Sequence, residues 1–153
     1  MSEILPLVSE INEDNLPLFE GMLDLFAEAF EDEESYSSRR PSKAHILKLL
    51  GSGQFIALVA VRDGGVVGAL TAYEIVKYEQ ERSELYIFDL AVSPALRRQG
   101  IATALISRLL DIGRSRGVSS VYVQAHAEDE PAVALYSRLG VRSEVLHFDL
   151  PVS

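Results

Sequence analysis

The stretch that decides the fold is Leu96–Ile106, "LRRQGIATALI", in which two arginines and a glycine lead into an apolar-periodic segment. This pattern predicts the start of a helix. The first N–H groups of a helix have no partner within it, and they carry the positive end of the helix dipole. Gly100 lets an anion approach the backbone closely, while Arg97 and Arg98 add charged donors. The stretch therefore predicts a cradle for a phosphate group.

This cradle differs from the two familiar nucleotide-binding loops. The sequence contains neither G-x-G-x-x-G nor G-x-x-x-x-G-K-[ST], so a Rossmann dinucleotide site and a P-loop are excluded. An amphipathic helix with a basic first turn is the alternative interpretation. Arginines at a helix start oppose the dipole, at about 0.3–1 kcal/mol each, and a bound anion removes that conflict.

Composition narrows the class of protein further. The chain has 153 residues, 48% of them apolar, which predicts a single domain over residues 1–153 with a substantial core. The sequence contains no run of 18 or more apolar residues, so no membrane span is predicted. The N-terminal "MSEILPLVSE" lacks the basic region of a signal peptide, and there is no cysteine, so a cytoplasmic protein is expected.

The net charge of −9 argues against a nucleic-acid groove, which needs clustered cations. An acidic field suits a cationic partner, but many proteins are acidic for solubility alone. The three histidines show no metal-ligand spacing, so no metal is expected.

The hydrophobic pattern predicts an α/β fold with a mixed central sheet and helices on both faces. "RDGG" between two β-rich runs indicates a hairpin. The predicted elements are a strand over Ile4–Ile11, helices over Leu16–Phe30 and Ser42–Leu50, strands over Phe55–Val61, Val66–Val76 and Ser83–Val92, a helix over Gln99–Arg116, a strand over Val118–Ala127, a helix over Asp129–Gly140 and a strand over Val141–Leu150. The segment Glu31–Ser42 is predicted to be a polar loop.

Two motifs resemble those of the GNAT superfamily of acyl-CoA-dependent N-acetyltransferases. Arg97-x-x-Gly100-x-Ala102 is similar to the family signature Q/R-x-x-G-x-G/A, and it follows the predicted central strand as in the family. "DEPAVALYSRLGV" is similar to the pattern N-x-x-A-x-x-x-Y-x-x-x-G-F, with Asp129 in place of Asn and Val141 in place of Phe.

A closer resemblance runs from about Leu23 to Asp149, in blocks that include "LDLFAEAF", "RSELYIFDLAVS" and "EVLHFDL". These blocks are similar to the class I aminoglycoside 3-N-acetyltransferases, the gentamicin-modifying branch. The resemblance implies acetyl transfer from acetyl-CoA to an amine by direct attack in a ternary complex. It also implies a cationic small-molecule substrate and a homodimer, which is common in this family.

The resemblance assigns a set of residues to acetyl-CoA. The backbone of the central strand would bind the pantetheine arm, and the helix start would bind the diphosphate. The residues so assigned are Leu90, Ala91, Val92, Arg97, Arg98, Gln99, Gly100, Ile101, Ala102, Thr103, Asp129, Ala132 and Tyr136.

Acetyl transfer to an amine requires a base for the amine and an acid for the leaving thiolate. Asp89, at the end of an apolar strand, is the first candidate for the base, because burial would raise its pKa. A salt-bridged structural Asp is the alternative, and Glu84 is the reserve candidate. Tyr136 occupies the family's position for the general acid; from spacing alone, a core aromatic residue is the alternative.

A polycationic substrate needs several carboxylates, and acidic side chains cluster at a few places in the sequence. A subset is expected to converge on one cleft, although any single member is more often simply solvated. They are Glu31, Asp32, Glu33, Glu34, Glu74, Glu79, Glu81, Glu128, Asp129, Glu130, Glu144 and Asp149.

Two other functions remain open at this point. The first is acetylation of another amine, such as a polyamine or a protein N-terminus, and the second is an acyl-CoA-binding domain that has lost catalysis. The presence of both Asp89 and Tyr136 counts against the second.

Overall fold

The computed structural model describes residues 5–153, and it divides into two compact units. The first unit runs to Tyr122 and the second from Val123 to Ser153. Ile4, the first residue of the predicted N-terminal strand, lies outside the described residues. None of the helices in the described part of the chain is long and apolar enough to cross a membrane.

The element order follows the predicted one up to the last helix. The elements are β1 (Leu7–Glu10), α1 (Pro17–Ala29), α2 (Glu33–Tyr36), α3 (Lys43–Gly51), β2 (Phe55–Arg62), β3 (Gly65–Val76), β4 (Ser83–Val92), a 3-10 turn (Pro94–Leu96), α4 (Ile101–Arg116), β5 (Ser120–Val123) and α5 (Glu130–Leu139). The short helix α2 lies inside the segment predicted to be a loop. Asp32 caps it by accepting a hydrogen bond from the Ser35 N–H.

The strands form one mixed sheet in the order β1-β2-β3-β4-β5, and β1 to β4 pair antiparallel. The predicted hairpin is confirmed: Asp63 and Gly64 join β2 to β3 with positive φ angles of 52° and 79°. Such a two-residue turn matches the twist of the strands it connects.

Helices cover both faces of this sheet, as predicted. On one face, α1 packs Met22 and Phe26 against Val59 and Ala69 in the main core cluster. On the other face, α4 lies so close to β3 that a Cβ at Gly68 would come within 2.7 Å of Ile101 Cγ2. This close packing fixes the position of the first residue of α4.

The prediction of a last strand over Val141–Leu150 is wrong, because the described residues after α5 form no helix or strand. The strand predicted over Val118–Ala127 is also shorter, at Ser120–Val123. Apolar alternation is enough to predict strand propensity, but a strand also requires a neighbouring ladder to pair with.

Candidate active site

A β-bulge in β4 lies at the centre of the site. Thr71 on β3 pairs with Asp89, but the next residue, Ala72, pairs with Ile87. Phe88 is therefore an additional residue on β4, with no partner of its own on β3.

The bulge decides which face of the sheet carries Asp89. Without it, Asp89 would share a face with Leu85 and Ile87, which are 0% and 3% exposed. With it, Asp89 lies on the same face as Ala91, which belongs to the core cluster on the α1 side. The bulge thus keeps the Asp89 carboxylate out of the core on the α4 side, where burying an unpaired charge would cost free energy.

Asp89 is half-buried, and two side chains hold it in place. Its Oδ2 accepts a hydrogen bond from the Tyr36 hydroxyl at 2.8 Å. Its N–H donates to Thr71 Oγ1 at 3.2 Å, and Thr71 is itself buried. Burial raises the pKa of Asp89, while the hydrogen bond from Tyr36 acts in the opposite direction. A raised pKa is what a general base needs.

Tyr36 links the acidic helix α2 to the bulge. Its ring packs against Phe26 and Phe30, with centroid distances of 5.6 and 5.7 Å. Burial raises the pKa of Tyr36, and the neighbouring Asp89 and Asp32 charges raise it further. Tyr36 therefore connects the end of α2, which begins in the acidic run at residues 31–34, to the candidate base.

Glu84, the reserve base, is occupied by ion pairs. It lies 3.3 Å from Lys77 Nζ and 3.9 Å from a nitrogen of Arg82, while Glu79 contacts the same two cations. Glu84 is the second residue of β4, roughly 15 Å along the strand from the bulge. These contacts make Asp89 the better candidate for the base.

Among the described residues, no strand lies along the outer edge of the second half of β4. Strand β5 runs beside its first half, where Ser119 N–H donates to the Ser83 carbonyl at 2.9 Å and Tyr122 stacks on Tyr86. Because β5 ends at Val123, no strand of residues 5–153 continues the sheet beside Leu90–Val92. This opening fits the role that the resemblance gives to that backbone.

A helix starts next to Gly100, as the sequence predicts, and binding of a phosphate there stays a prediction. Gly100 is the N-cap, with φ +81° and no capping side chain, and the first helical bond runs from Ala104 N–H to the Gly100 carbonyl at 3.0 Å. The preceding N–H groups of the first turn thus have no acceptor in the helix. Arg98 also has a positive φ, 65°. The exposed Arg97 and Arg98 form no ion pair with any described residue.

The cradle therefore fits the diphosphate of a coenzyme A molecule. A Cβ at Gly100 would have Leu5 Cδ2 as its nearest described protein atom, in van der Waals contact at 3.9 Å, so no described atom crowds the backbone there. Gln99, next to it, accepts a long 3.5 Å hydrogen bond from Arg62.

The second unit carries α5 and Tyr136. Asp129 caps this helix by accepting from the Ala132 N–H at 3.3 Å, which explains a carboxylate at a position where the family has Asn. Burial and the Asp129 charge raise the pKa of Tyr136 to about 12. Tyr136 therefore keeps its proton at neutral pH, as a general acid must.

Tyr36 and Thr71 are the residues that sequence reasoning missed. Tyr36 is 53 positions from Asp89, and no local spacing connects them. A signal was nonetheless present, because Tyr36 is the one aromatic residue within the polar segment "EDEESYSSRRPS".

Comparison with known proteins agrees with this geometry. The acetyltransferase (GNAT) family profile matches residues 19–141, which include the bulge, the start of α4 and all of α5. The chain belongs to this family, and its domain is that of an acetyl-CoA-dependent N-acetyltransferase.

Two solved structures are similar over nearly the whole chain. The aminoglycoside acetyltransferase HMB0005, from an uncultured soil metagenomic sample, is 54% identical with a TM-score of 0.95, covering 99% of this chain and 100% of its own. The aminoglycoside acetyltransferase meta-AAC0020, also from a soil metagenomic sample, was solved in complex with sisomicin. It is 30% identical with a TM-score of 0.88, covering 96% of each chain.

A curated relative matches a shorter region. The [ribosomal protein bS18]-alanine N-acetyltransferase of Escherichia coli K12 is 34% identical over 73 residues, which is 48% of either chain. The chain thus spans about half the length of the curated relatives it first matches.

Proposed function

We propose that the protein is an aminoglycoside 3-N-acetyltransferase acting on gentamicin-type antibiotics. The observation that carries this proposal is the hydrogen bond from Tyr36 to Asp89, because it connects α2, which begins in the acidic run at residues 31–34, to a half-buried base. Ammonium groups of a polycation need such neighbouring carboxylates. The similarity to HMB0005 and meta-AAC0020 supports the same substrate class.

In the proposed mechanism of acetyl transfer, the site residues act one after another. When bound, acetyl-CoA supplies an acetyl group activated as a thioester. Asp89 would accept a proton from the substrate ammonium, directly or through a water molecule. The neutral amine could then form the new C–N bond at the acetyl carbon as the C–S bond breaks, with its second proton passing to solvent. A backbone N–H of Leu90–Val92 polarises the thioester carbonyl. Tyr136 then gives its proton to the departing thiolate.

The same chain segments hold the carrier in place. N–H groups from Arg98 to Thr103 and the guanidinium groups of Arg97 and Arg98 bind the diphosphate. The edge of Leu90–Val92 aligns the pantetheine arm. The resemblance alone assigns Ala132 and Tyr136, which lie one turn apart on α5, to the carrier.

Replacing Tyr136 with Phe tests the acid role. We expect kcat to fall by about 10- to 100-fold, because a thiolate is a poorer leaving group than a thiol. The Kd for acetyl-CoA should stay unchanged, because only the hydroxyl is lost. Steady-state kinetics and calorimetric titration measure the two quantities. Unchanged turnover would remove Tyr136 from the mechanism.

The substrate assignment is tested by acetyl-CoA consumption with gentamicin, followed by NMR mapping of the acetylated nitrogen. Acetylation at the 3-amino group is expected. Acetylation at another nitrogen would contradict the 3-N position while keeping the substrate class. Thermal shift with gentamicin measures binding independently of turnover.

A second candidate is acetylation of a protein N-terminal amine, which the similarity to the bS18-alanine acetyltransferase favours. A short peptide with an N-terminal alanine, together with spermidine as another cationic amine, belongs in the same assay. Faster turnover of either compound than of gentamicin would replace the aminoglycoside proposal.

We propose further that the protein is a homodimer. Apolar side chains after α5 are widely exposed: Val145, Leu146, Phe148 and Leu150 at 71–85%. An exposed apolar set of this size marks an interaction surface. Light scattering should give twice the chain mass. Replacing Phe148 and Leu150 together with Asp should give the monomer mass, and a monomeric native protein would contradict the proposal.

A further inference from the structure

The Tyr36–Asp89 contact joins residues from two elements whose positions are fixed independently. Tyr36 ends α2, where Asp32 caps the first turn and Phe26 and Phe30 pack against the Tyr36 ring. Asp89 is set by the bulge in β4. The 2.8 Å hydrogen bond between them is therefore preorganised and does not depend on a flexible side chain finding its partner.

Few other polar groups face Asp89. On β3, Thr71 is engaged by the Asp89 N–H, and the Asp89 charge acts on the Tyr73 hydroxyl, for which no hydrogen bond to Asp89 is formed among the described residues. On α2, Asp32 adds a second negative charge near Tyr36. Within residues 5–153, no Lys, Arg or His forms an ion pair with Asp89. The side-chain donor to this carboxylate is therefore the Tyr36 hydroxyl.

We propose that Tyr36 is a positioning residue that acts through Asp89. Its hydroxyl holds the Asp89 carboxylate in the charged form and fixes Oδ2, so that Oδ1 is left to receive the proton of the substrate. This inference rests on the proposed role of Asp89 as the base.

Two opposing effects on the pKa of Asp89 agree with this positioning role of Tyr36. Burial alone favours the neutral acid and raises the pKa of Asp89. A hydrogen bond from a neutral hydroxyl favours the carboxylate and lowers that pKa. Tyr36 thus offsets part of the effect of burial, and it does so without an ion pair that would compete with a cationic substrate.

The test is Tyr36→Phe, which keeps the ring and its packing against Phe26 and Phe30. Two quantities are measured: the pKa of Asp89, by carbon-13 NMR titration of its carboxyl group, and the acidic limb of the kcat/KM–pH profile. We expect both to move upward by about one pH unit, since a hydrogen bond to a charged group has roughly that effect. At pH values on the acidic limb and below it, the variant is slower than the native enzyme, because Asp89 is charged in fewer molecules. Well above it the two enzymes converge.

Tyr73→Phe is the matched control, because it also removes a hydroxyl near Asp89 but not one that donates to it. It should leave the pKa of Asp89 in place. An unchanged pKa in Tyr36→Phe, or an equal rise in Tyr73→Phe, would overturn the inference. A different result separates it from the proposed function: if the pKa rises while the acidic limb stays, Asp89 is not the base, and Tyr36 has no part in the reaction.

Discussion

Replacing Asp89 with Asn is expected to lower kcat/KM by about 10²- to 10³-fold, the range typical of a lost general base. Asn keeps the shape of the side chain, and its carbonyl oxygen still accepts the hydrogen bond from Tyr36. It cannot take up a proton from the amine. The loss should appear mainly in kcat, measured with the aminoglycoside at saturating acetyl-CoA, and the acidic limb of the pH profile should disappear.

Asp111→Asn is the control for this change. Asp111 lies on α4 with a 63% exposed side chain, and its 2.8 Å partner is Arg114 on the same helix. An exposed pair of this kind contributes little to stability. The control should keep native kinetics. If Asp89→Asn lost only a fewfold in kcat/KM, Asp89 would be a structural carboxylate and the base would lie elsewhere.

The direction of the pH dependence follows from the burial of Asp89. Burial raises the pKa of this carboxyl above its usual range, so the charged form is depleted at a higher pH than for an exposed Asp. Activity should therefore fall on acidification earlier than an unperturbed Asp would predict. The raised pKa of Tyr136, about 12, leaves the acid protonated throughout the neutral range.

The regular elements were predictable because their patterns are local. Apolar periodicity with a clear end signal, such as Gly117 after α4, predicts a helix from its own residues alone. The helix start at Gly100 was predictable for the same reason, and the phosphate cradle there stays a prediction.

Residue types alone did not predict the bulge, although the alternation of buried residues along β4 indicates it. In strict alternation Leu85, Ile87 and Asp89 would share one face, which would bury a carboxylate beside two core side chains. One extra residue, Phe88, removes that conflict. A charged residue that strict alternation would place on a buried face is therefore a signal for a bulge. In this chain the bulge places Asp89 in the candidate site.

The contact between Tyr36 and Asp89 could not be predicted, because it depends on how α1 places α2 against the sheet. The failed strand at Val141–Leu150 has a related cause. Its apolar residues satisfy the pattern, but pairing is a property of two strands, and one sequence segment specifies only its own half.

Replacing Gly100 with Ala is expected to raise the KM for acetyl-CoA by about 10- to 100-fold, as for the loss of one or two hydrogen bonds to a charged group. The new Cβ clashes with no described protein atom, because its nearest neighbour is Leu5 Cδ2 at 3.9 Å, an ordinary van der Waals contact. It instead occupies the space through which the diphosphate approaches the helix start. With acetyl-CoA saturating, kcat should change little, because Asp89 and Tyr136 are untouched.

The same substitution at Gly117 separates this effect from backbone strain. Gly117 ends α4 with φ +73°, close to the +81° of Gly100, and a Cβ there would meet no described atom within 4 Å. Both variants therefore carry a similar penalty for an L-residue in the left-handed region, about 1–2 kcal/mol in the free energy of unfolding measured with urea. Only Gly100→Ala should weaken acetyl-CoA binding. If Gly117→Ala raised the KM as much, the effect would come from the helix as a whole, and the cradle at Gly100 would not be where the diphosphate binds.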